Sequence, residues 1–338
     1  MTVELSNQKL YNPATGRFDH IDIAKGILII AVVLGHSLGD KESQVLYWFH
    51  IPAFFFISGM LLTGKNFDTD KLLKRMKMLL IPYLCWGFLI STYNLLINWY
   101  FSKTFNIALL GDDLLRLILG GRSLTGNFGV FWFINVLILI HIGFFFLAKM
   151  KPYQVISVLF IFYVFSRLLS SRYGDESPRV IWNIDSAMES LIFFSLGYYS
   201  NSLIQYFYRH LWGIIMIIAG SLLIWLQLAG IINFNLNMKY MHLDAWAIDL
   251  LVPLLFTGIV FYISTLIAHL SVSKGLIYMG MHTQIVMYLH LVSTRFAGIF
   301  IKTSNPVLFL TIGIVLPLIA LQIIKRSALS SKLFLGRF

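Results

Sequence analysis

Stretches of about twenty residues nearly free of charge recur along this chain. A segment of that length and character is stable in the hydrocarbon core of a bilayer, where a helix satisfies its own backbone. Ten such segments lie near 21–40, 45–63, 77–101, 128–149, 153–170, 185–205, 211–231, 245–268, 275–298 and 306–324. With 58% hydrophobic and 12% charged residues, a soluble globule is excluded. The expected architecture is all-α, a polytopic membrane protein with about ten transmembrane helices. An even number of spans puts both ends on one side. Sixteen Lys and Arg fall in the loops on that side and nine in those on the other, so both termini are expected in the cytoplasm. The polar start, MTVELSNQKLYNPATGRFDH, has no apolar core of a cleavable signal. Residues 1–20 read as a cytoplasmic segment, 21–324 as a single transmembrane domain and 325–338 as a cytoplasmic tail.

The net charge of +11 does not point to nucleic acid, because in a membrane chain the placement of cations matters more than their sum. Cys85 is the single cysteine, which rules out an internal disulfide and a cysteine metal cluster. No metal site is expected.

Within this framework the first apolar segment, Asp22-Ile-Ala-Lys25-Gly26 through Gly35-His36-Ser37, carries the chain's most informative polar residues. Eleven residues separate Lys25 from His36, a net rotation of roughly 20° and a rise of about 16 Å on a helix. Both groups then share one face, with the imidazole halfway through the segment and near the bilayer midplane. Asp22, three residues before Lys25, pairs with it on the same stripe. An ionisable group at that depth needs a cavity or a partner, so His36 is a functional candidate. The bland reading is a packed ring bonded to Ser37 or to a neighbouring carbonyl.

Further candidates follow in chain order. FHIPAFFFISGML opens on His50, a residue for the outer chamber. Lys71, Lys74, Arg75 and Lys77 form a basic cluster on the same side as Lys25. They read either as positive-inside anchors at anionic lipid or as a receptor for a phosphorylated cytosolic molecule. GDDLLRLILGGR at 111–122 has the pattern of a short amphipathic helix, with a simple loop as the other reading. Asn183, Asp185 and Glu189, and the loop with Asn233, Asn235 and Asn237, are outer-side groups suited to sugar hydroxyls. Trp182, Tyr240 and Trp246 nearby offer faces for ring stacking, although an ordinary wet loop reads the same way. Asp249 and Glu189 at membrane depth need partners, for which Arg295, His290 and His282 are candidates.

IDIAKGILIIAVVLGHS, FHIPAFFFISGML, KRMKMLLIPY, FWFINVLIL and GLIYMGMHTQIVMYLHLV, in this order, resemble the landmarks of the acyltransferase-3 family of membrane O-acyltransferases. The Asn183-x-Asp185…FFSLGYY stretch and the Asn-rich loop are more similar to its fucose 4-O-acetylase-like branch. The family's arginine, ten residues and a histidine are matched by Lys25 and His36, with lysine in the arginine position. The resemblance implies acetyl transfer from cytosolic acetyl-CoA to a sugar or polysaccharide hydroxyl in a bacterial cytoplasmic membrane. His36 would be the catalytic base, and Lys25, Lys74, Arg75 and Lys77 would hold the CoA phosphates. His50, Asn183, Asp185, Glu189, Asn233 and His290 would line the acceptor site. Two other readings remain: a glycan or lipid-linked sugar carrier or flippase with the same cavity and no chemistry, and a membrane partner that has lost activity. The sequence leaves the oligomeric state open.

Overall fold

Helices dominate because a chain this apolar satisfies its backbone within each segment. The structure is a computed structural model that describes residues 11–12, 17–62, 67–173, 178–200, 210–243, 245–301 and 305–338. Most of the expected N-terminal segment 1–20 lies outside them. In chain order the helices are α1 (Asp19–Gly35), α2 (Asp40–Tyr47), α3 (His50–Met60), α4 (Thr69–Ser102), α5 (Ala108–Leu119), α6 (Trp132–Leu147) and α7 (Pro152–Tyr173). They continue as α8 (Ile184–Tyr199), α9 (His210–Leu228), α10 (Ile248–Ile267), α11 (Ser273–Met281), α12 (Thr283–Phe300), α13 (Pro306–Ile324) and α14 (Ala328–Leu335). Two short antiparallel ladders pair β1 (Tyr11–Asn12) with β2 (Arg17–Phe18) and β3 (Leu236–Asn237) with β4 (His242–Leu243).

Among the described residues, six helical segments are long and apolar enough to cross a membrane by length and composition: Thr69–Ser102, Gly126–Leu147, Pro152–Tyr173, His210–Leu228, Ile248–Ile267 and Pro306–Ile324. The chain is a polytopic helical integral membrane protein. The other four of the ten expected segments contain helix, but none forms a single helix of that length among the described residues. The first stops at Gly35, the second is split at Trp48 and Phe49 into α2 and α3, and the ninth is split at His282. The sixth is helical through Tyr199, and residues 201–209 lie outside the described part. GDDLLRLILGGR falls in α5 and the turn after it, so a helix and not a simple loop forms there.

The chain divides into two compact units. The first comprises residues 1–63, 193–237 and 242–283. Its tightest joint is between α1 and α11, where side-chain atoms are absent on purpose. A Cβ on Gly280 would overlap the Asp22 carbonyl, and one on Gly26 would overlap that of Leu276. The same device joins α3 to the end of α8, where Gly59 and Gly197 sit against the carbonyls of Phe194 and Phe56. Trp48, fully buried, fixes the loop after α9 by donating its indole N–H to the Phe234 carbonyl at 2.9 Å.

The second unit comprises residues 64–192, 238–241 and 284–338. Helix α4 starts at the Asp68 cap, whose carboxylate accepts from Lys71 N, and stops where Lys103 turns left-handed. Its middle is packed by aromatic rings: Trp86 stacks on Tyr288, Tyr288 meets Phe131 edge-on, and Trp86 donates to the Phe334 carbonyl of α14 at 3.0 Å.

Candidate functional site

In the first unit the acidic and basic residues of α1 lie at its start and the histidine at its end. Asp22 and Lys25 form an ion pair at 2.6 Å, with 6% and 17% of their side chains exposed, as their spacing anticipates. The lysine charge is therefore already met by a carboxylate. His36 is the C-cap of α1, in right-handed helical backbone (φ −88°, ψ −6°), so the eleven-residue register with Lys25 is preserved. The expectation that this ring sits halfway through a span is corrected: α1 has seventeen residues and ends at Gly35. The reason lies in the sequence itself, since Ser37 and Gly39 interrupt the apolar run and the chain turns into α2 at Asp40. Ser37 does not bond the imidazole through its hydroxyl, which donates to the Val33 carbonyl at 2.8 Å.

The His36 ring is exposed, and its edge meets Tyr47 with centroids 6.2 Å apart. Tyr47 in turn lies 5.2 Å from the ring of His50 and donates its hydroxyl to the Gly35 carbonyl at 3.4 Å. His50, only 2% exposed, donates from Nδ1 to the Leu46 carbonyl. A neutral His50 therefore carries its proton on Nδ1. The break between α2 and α3 thus brings His36 and His50 to either side of one tyrosine. Tyr47 was missed in the sequence because an isolated tyrosine before a tryptophan reads as an interfacial aromatic. Asn233 is exposed in the loop between α9 and β3, and Asp249 at the start of α10 accepts the Ala245 N–H at 3.1 Å.

In the second unit Lys74 and Lys77 are exposed on the first turns of α4, and Arg75 is half-buried between them. Farther along, a buried knot gathers Asn183 and Asp185. Gly120 and Gly121 take positive φ, 64° and 56°, which lets the chain turn sharply after α5 and present two N–H groups inward. Gly121 N donates to Asn135 Oδ1 at 3.1 Å and Arg122 N to Asn183 Oδ1 at 2.8 Å. Asn183 Nδ2 donates to the Lys239 carbonyl at 2.9 Å, and Lys239 Nζ donates to the carbonyls of Leu124 and Gly129. Arg122 Nη1 reaches both oxygens of Asp185, at 3.1 and 2.8 Å, and the Pro178 carbonyl. Burial lowers the Lys239 ammonium from 10.5 to about 8, with the Arg122 charge adding to the effect.

Three non-glycine residues here, Trp182, Asn183 and Met241, are left-handed with φ between 53° and 56°. Each costs on the order of 1–2 kcal/mol, which the surrounding bonds offset. Trp182 does not present an open face to solvent alone: its indole N–H donates to the Ile118 carbonyl at 2.9 Å.

Glu189 finds a partner that sequence inspection did not supply. Arg167 Nη2 meets its Oε1 at 2.6 Å and Ser166 donates to Oε2 at 2.7 Å, which corrects the expectation of Arg295, His290 or His282. Helix spacing could not reveal the pair, because the two residues stand on α7 and α8. His290 is enclosed on α12, with Nδ1 bonded to the carbonyls of Val286 and Met287. Asn183, Asp185, Glu189 and His290 are each at most 5% exposed and held by protein groups. Among the described residues no group of three or more His, Cys, Asp or Glu could hold a metal ion.

The family model described as an acyltransferase domain matches residues 18–326. Among curated proteins, the nodulation protein NolL of Sinorhizobium fredii is 38% identical over 26% of this chain and 28% of its own length. That of Mesorhizobium japonicum is 34% identical over 33% of this chain and 31% of its own. The chain thus spans about a third of the length of the curated relatives it matches. No solved structure matches it. With the family model covering α1 through α13, this chain belongs to the acyltransferase family.

Proposed function

We propose that the chain is a membrane-embedded O-acetyltransferase that moves the acetyl group of cytosolic acetyl-CoA to a hydroxyl of a cell-surface or lipid-linked sugar. His36 is the general base. The observation that carries this reading is the exposed imidazole at the end of α1, braced by Tyr47 and in helical register with Lys25. A sugar hydroxyl is a poor nucleophile near neutral pH, and an imidazole, with an ordinary pKa of about 6.5, is suited to take its proton as it attacks.

The hydroxyl oxygen bonds to the thioester carbonyl carbon while its proton passes to the imidazole. The tetrahedral intermediate then expels the CoA sulfur, which takes the proton back, leaving an ester, a free thiol and a neutral ring. Lys25 supplies a cation on α1, tempered by Asp22, and Lys74, Arg75 and Lys77 supply cations on α4 for the donor's phosphates. His50 and Asn233 are placed on the acceptor side of the same reading. A bacterial cytoplasmic membrane with both termini inside agrees with the distribution of Lys and Arg.

The test uses the full chain in proteoliposomes with labelled acetyl-CoA inside or outside and a glycan acceptor. His36→Ala is expected to lower the transfer rate about 10²- to 10⁴-fold. Transfer at the wild-type rate in His36→Ala would overturn the mechanism. Acceptor transport that persists in that variant without acetyl-CoA would make the protein a carrier.

A further inference from the structure

A cleft of about 410 Å³ opens in the second unit between the last turns of α4, the short turn at Asn127 and the end of α12. It does not involve any residue of the proposed transfer chemistry. Its polar wall is built on an oriented chain of hydrogen bonds. Asp113 Oδ2 accepts from Asn94 Nδ2 at 2.7 Å, Asn94 Oδ1 accepts from Asn127 Nδ2 at 2.7 Å, and Asn127 Oδ1 accepts from Arg295 Nη1 at 3.4 Å. Each amide is thereby fixed in one orientation, and the series ends on a guanidinium. Among the described residues Arg295 has no carboxylate within ion-pair distance, and it is exposed. Gly126, left-handed at φ 63°, leaves room for it: a Cβ there would stand 3.1 Å from Nη1. Apolar Ile97, Phe101 and Ile299 and the amide of Asn98 complete the lining, one or two turns from the polar groups on the same helices.

The position selects the class of ligand. From Lys74 to Asn94 is twenty residues of α4, a rise of about 30 Å, which is the thickness of a hydrocarbon core. The cleft therefore sits at the membrane interface opposite the basic cluster, and α12 ends beside it. A site at that depth with an available guanidinium, several fixed amides and an apolar flank matches an amphiphile. The head must be anionic, with oxygens for the Arg fork and hydroxyls for the amides, and the tail must be hydrocarbon.

We propose that this cleft binds the phosphate of an anionic membrane lipid whose head group carries hydroxyls. The phosphate pairs with Arg295, the hydroxyls with Asn94, Asn98 and Asn127, and the acyl or prenyl chain lies along Phe101 and Ile299. Two sources present that chemistry, a bulk phospholipid such as phosphatidylglycerol and a lipid-phosphate-linked sugar.

Titration of the detergent-purified full chain, followed by native mass spectrometry, tests the site without any acyl donor. The probes are phosphatidylglycerol, phosphatidylcholine and a polyprenyl phosphate sugar. Tighter binding of either anionic probe than of phosphatidylcholine is expected, and which of the two wins names the source. Arg295→Gln should weaken the anionic probe at least about tenfold, the usual effect of losing a charged hydrogen bond. Asn98→Trp, which fills the cleft without changing charge, should weaken it as well. Lys103→Gln, removing an exposed cation at the same end of α4, should leave it unchanged. Equal binding of all three probes, or equal loss in Arg295→Gln and Lys103→Gln, would overturn the proposal.

Discussion

Replacing Asp185 by Asn separates a structural role from contact with an acceptor. Its carboxylate is 6% exposed and faces an Arg122 side chain that is 2% exposed, at 2.8 Å. It also accepts the Ser186 N–H at 2.9 Å. Removing the negative charge leaves the guanidinium buried beside a neutral amide. Breaking one partner of such a buried pair costs about 3–5 kcal/mol. Unfolding entropy of about 2.1 cal/mol/K per residue, taken over 338 residues, amounts to about 0.7 kcal/mol/K. The expected fall in Tm is then about 4–7 °C, read by the loss of monodisperse protein on heating in detergent. Removing both charges at once, in Arg122→Met with Asp185→Leu, leaves no orphaned ion and should recover most of that loss. If the double variant also keeps the proposed transfer at the normal rate, Asp185 serves the fold alone. A Tm in Asp185→Asn within 1 °C of the wild type would refute the reasoning, because the guanidinium would then need no partner.

Gly280→Ala should disrupt the α1–α11 joint and cost about 1–3 kcal/mol or more, since the new methyl overlaps a backbone carbonyl that cannot rotate away; Gly275→Ala, with nothing within 4 Å, is the neutral control in the same thermal assay. Lys239 has a folded pKa of about 8 against an ordinary 10.5, so the unfolded chain binds more protons between those values and stability should rise as pH climbs from 8 to 10.5. Below pH 8 the full burial cost, about 3 kcal/mol, persists, and Lys239→Met should show a flat profile in that window by chemical denaturation at several pH values. Tyr47→Ala should lower the proposed transfer less than His36→Ala does, because the ring supports the imidazole only through an edge contact, with centroids 6.2 Å apart. Glu189→Gln should lower Tm by an amount similar to Asp185→Asn, as Arg167 at 3% exposure would lose its charged partner.

Several of these features were legible from one strand of text. The membrane class, the helical architecture and the Asp22–Lys25 pair all follow from hydrophobic runs and from i,i+3 spacing, which are local properties of a helix, whereas 111–122 reads equally as a helix or a loop and only the structure decides for α5. The family was readable from the order of its motifs.

What the sequence could not supply was any relation between residues far apart in the chain. The partner of Glu189 stands one helix earlier, the bonds of Asn183 run to residues 61 and 56 positions away, and both depend on which helices happen to pack together. The placement of Tyr47 between His36 and His50 was likewise decided beyond the apolar count, by the turn that carries the chain from α1 into α2. Periodicity and hydropathy measure the energy of a segment in its solvent and so determine what forms. Partners across helices are fixed by the mutual packing of surfaces, whose energy no single segment contains, and only the tertiary structure decides them.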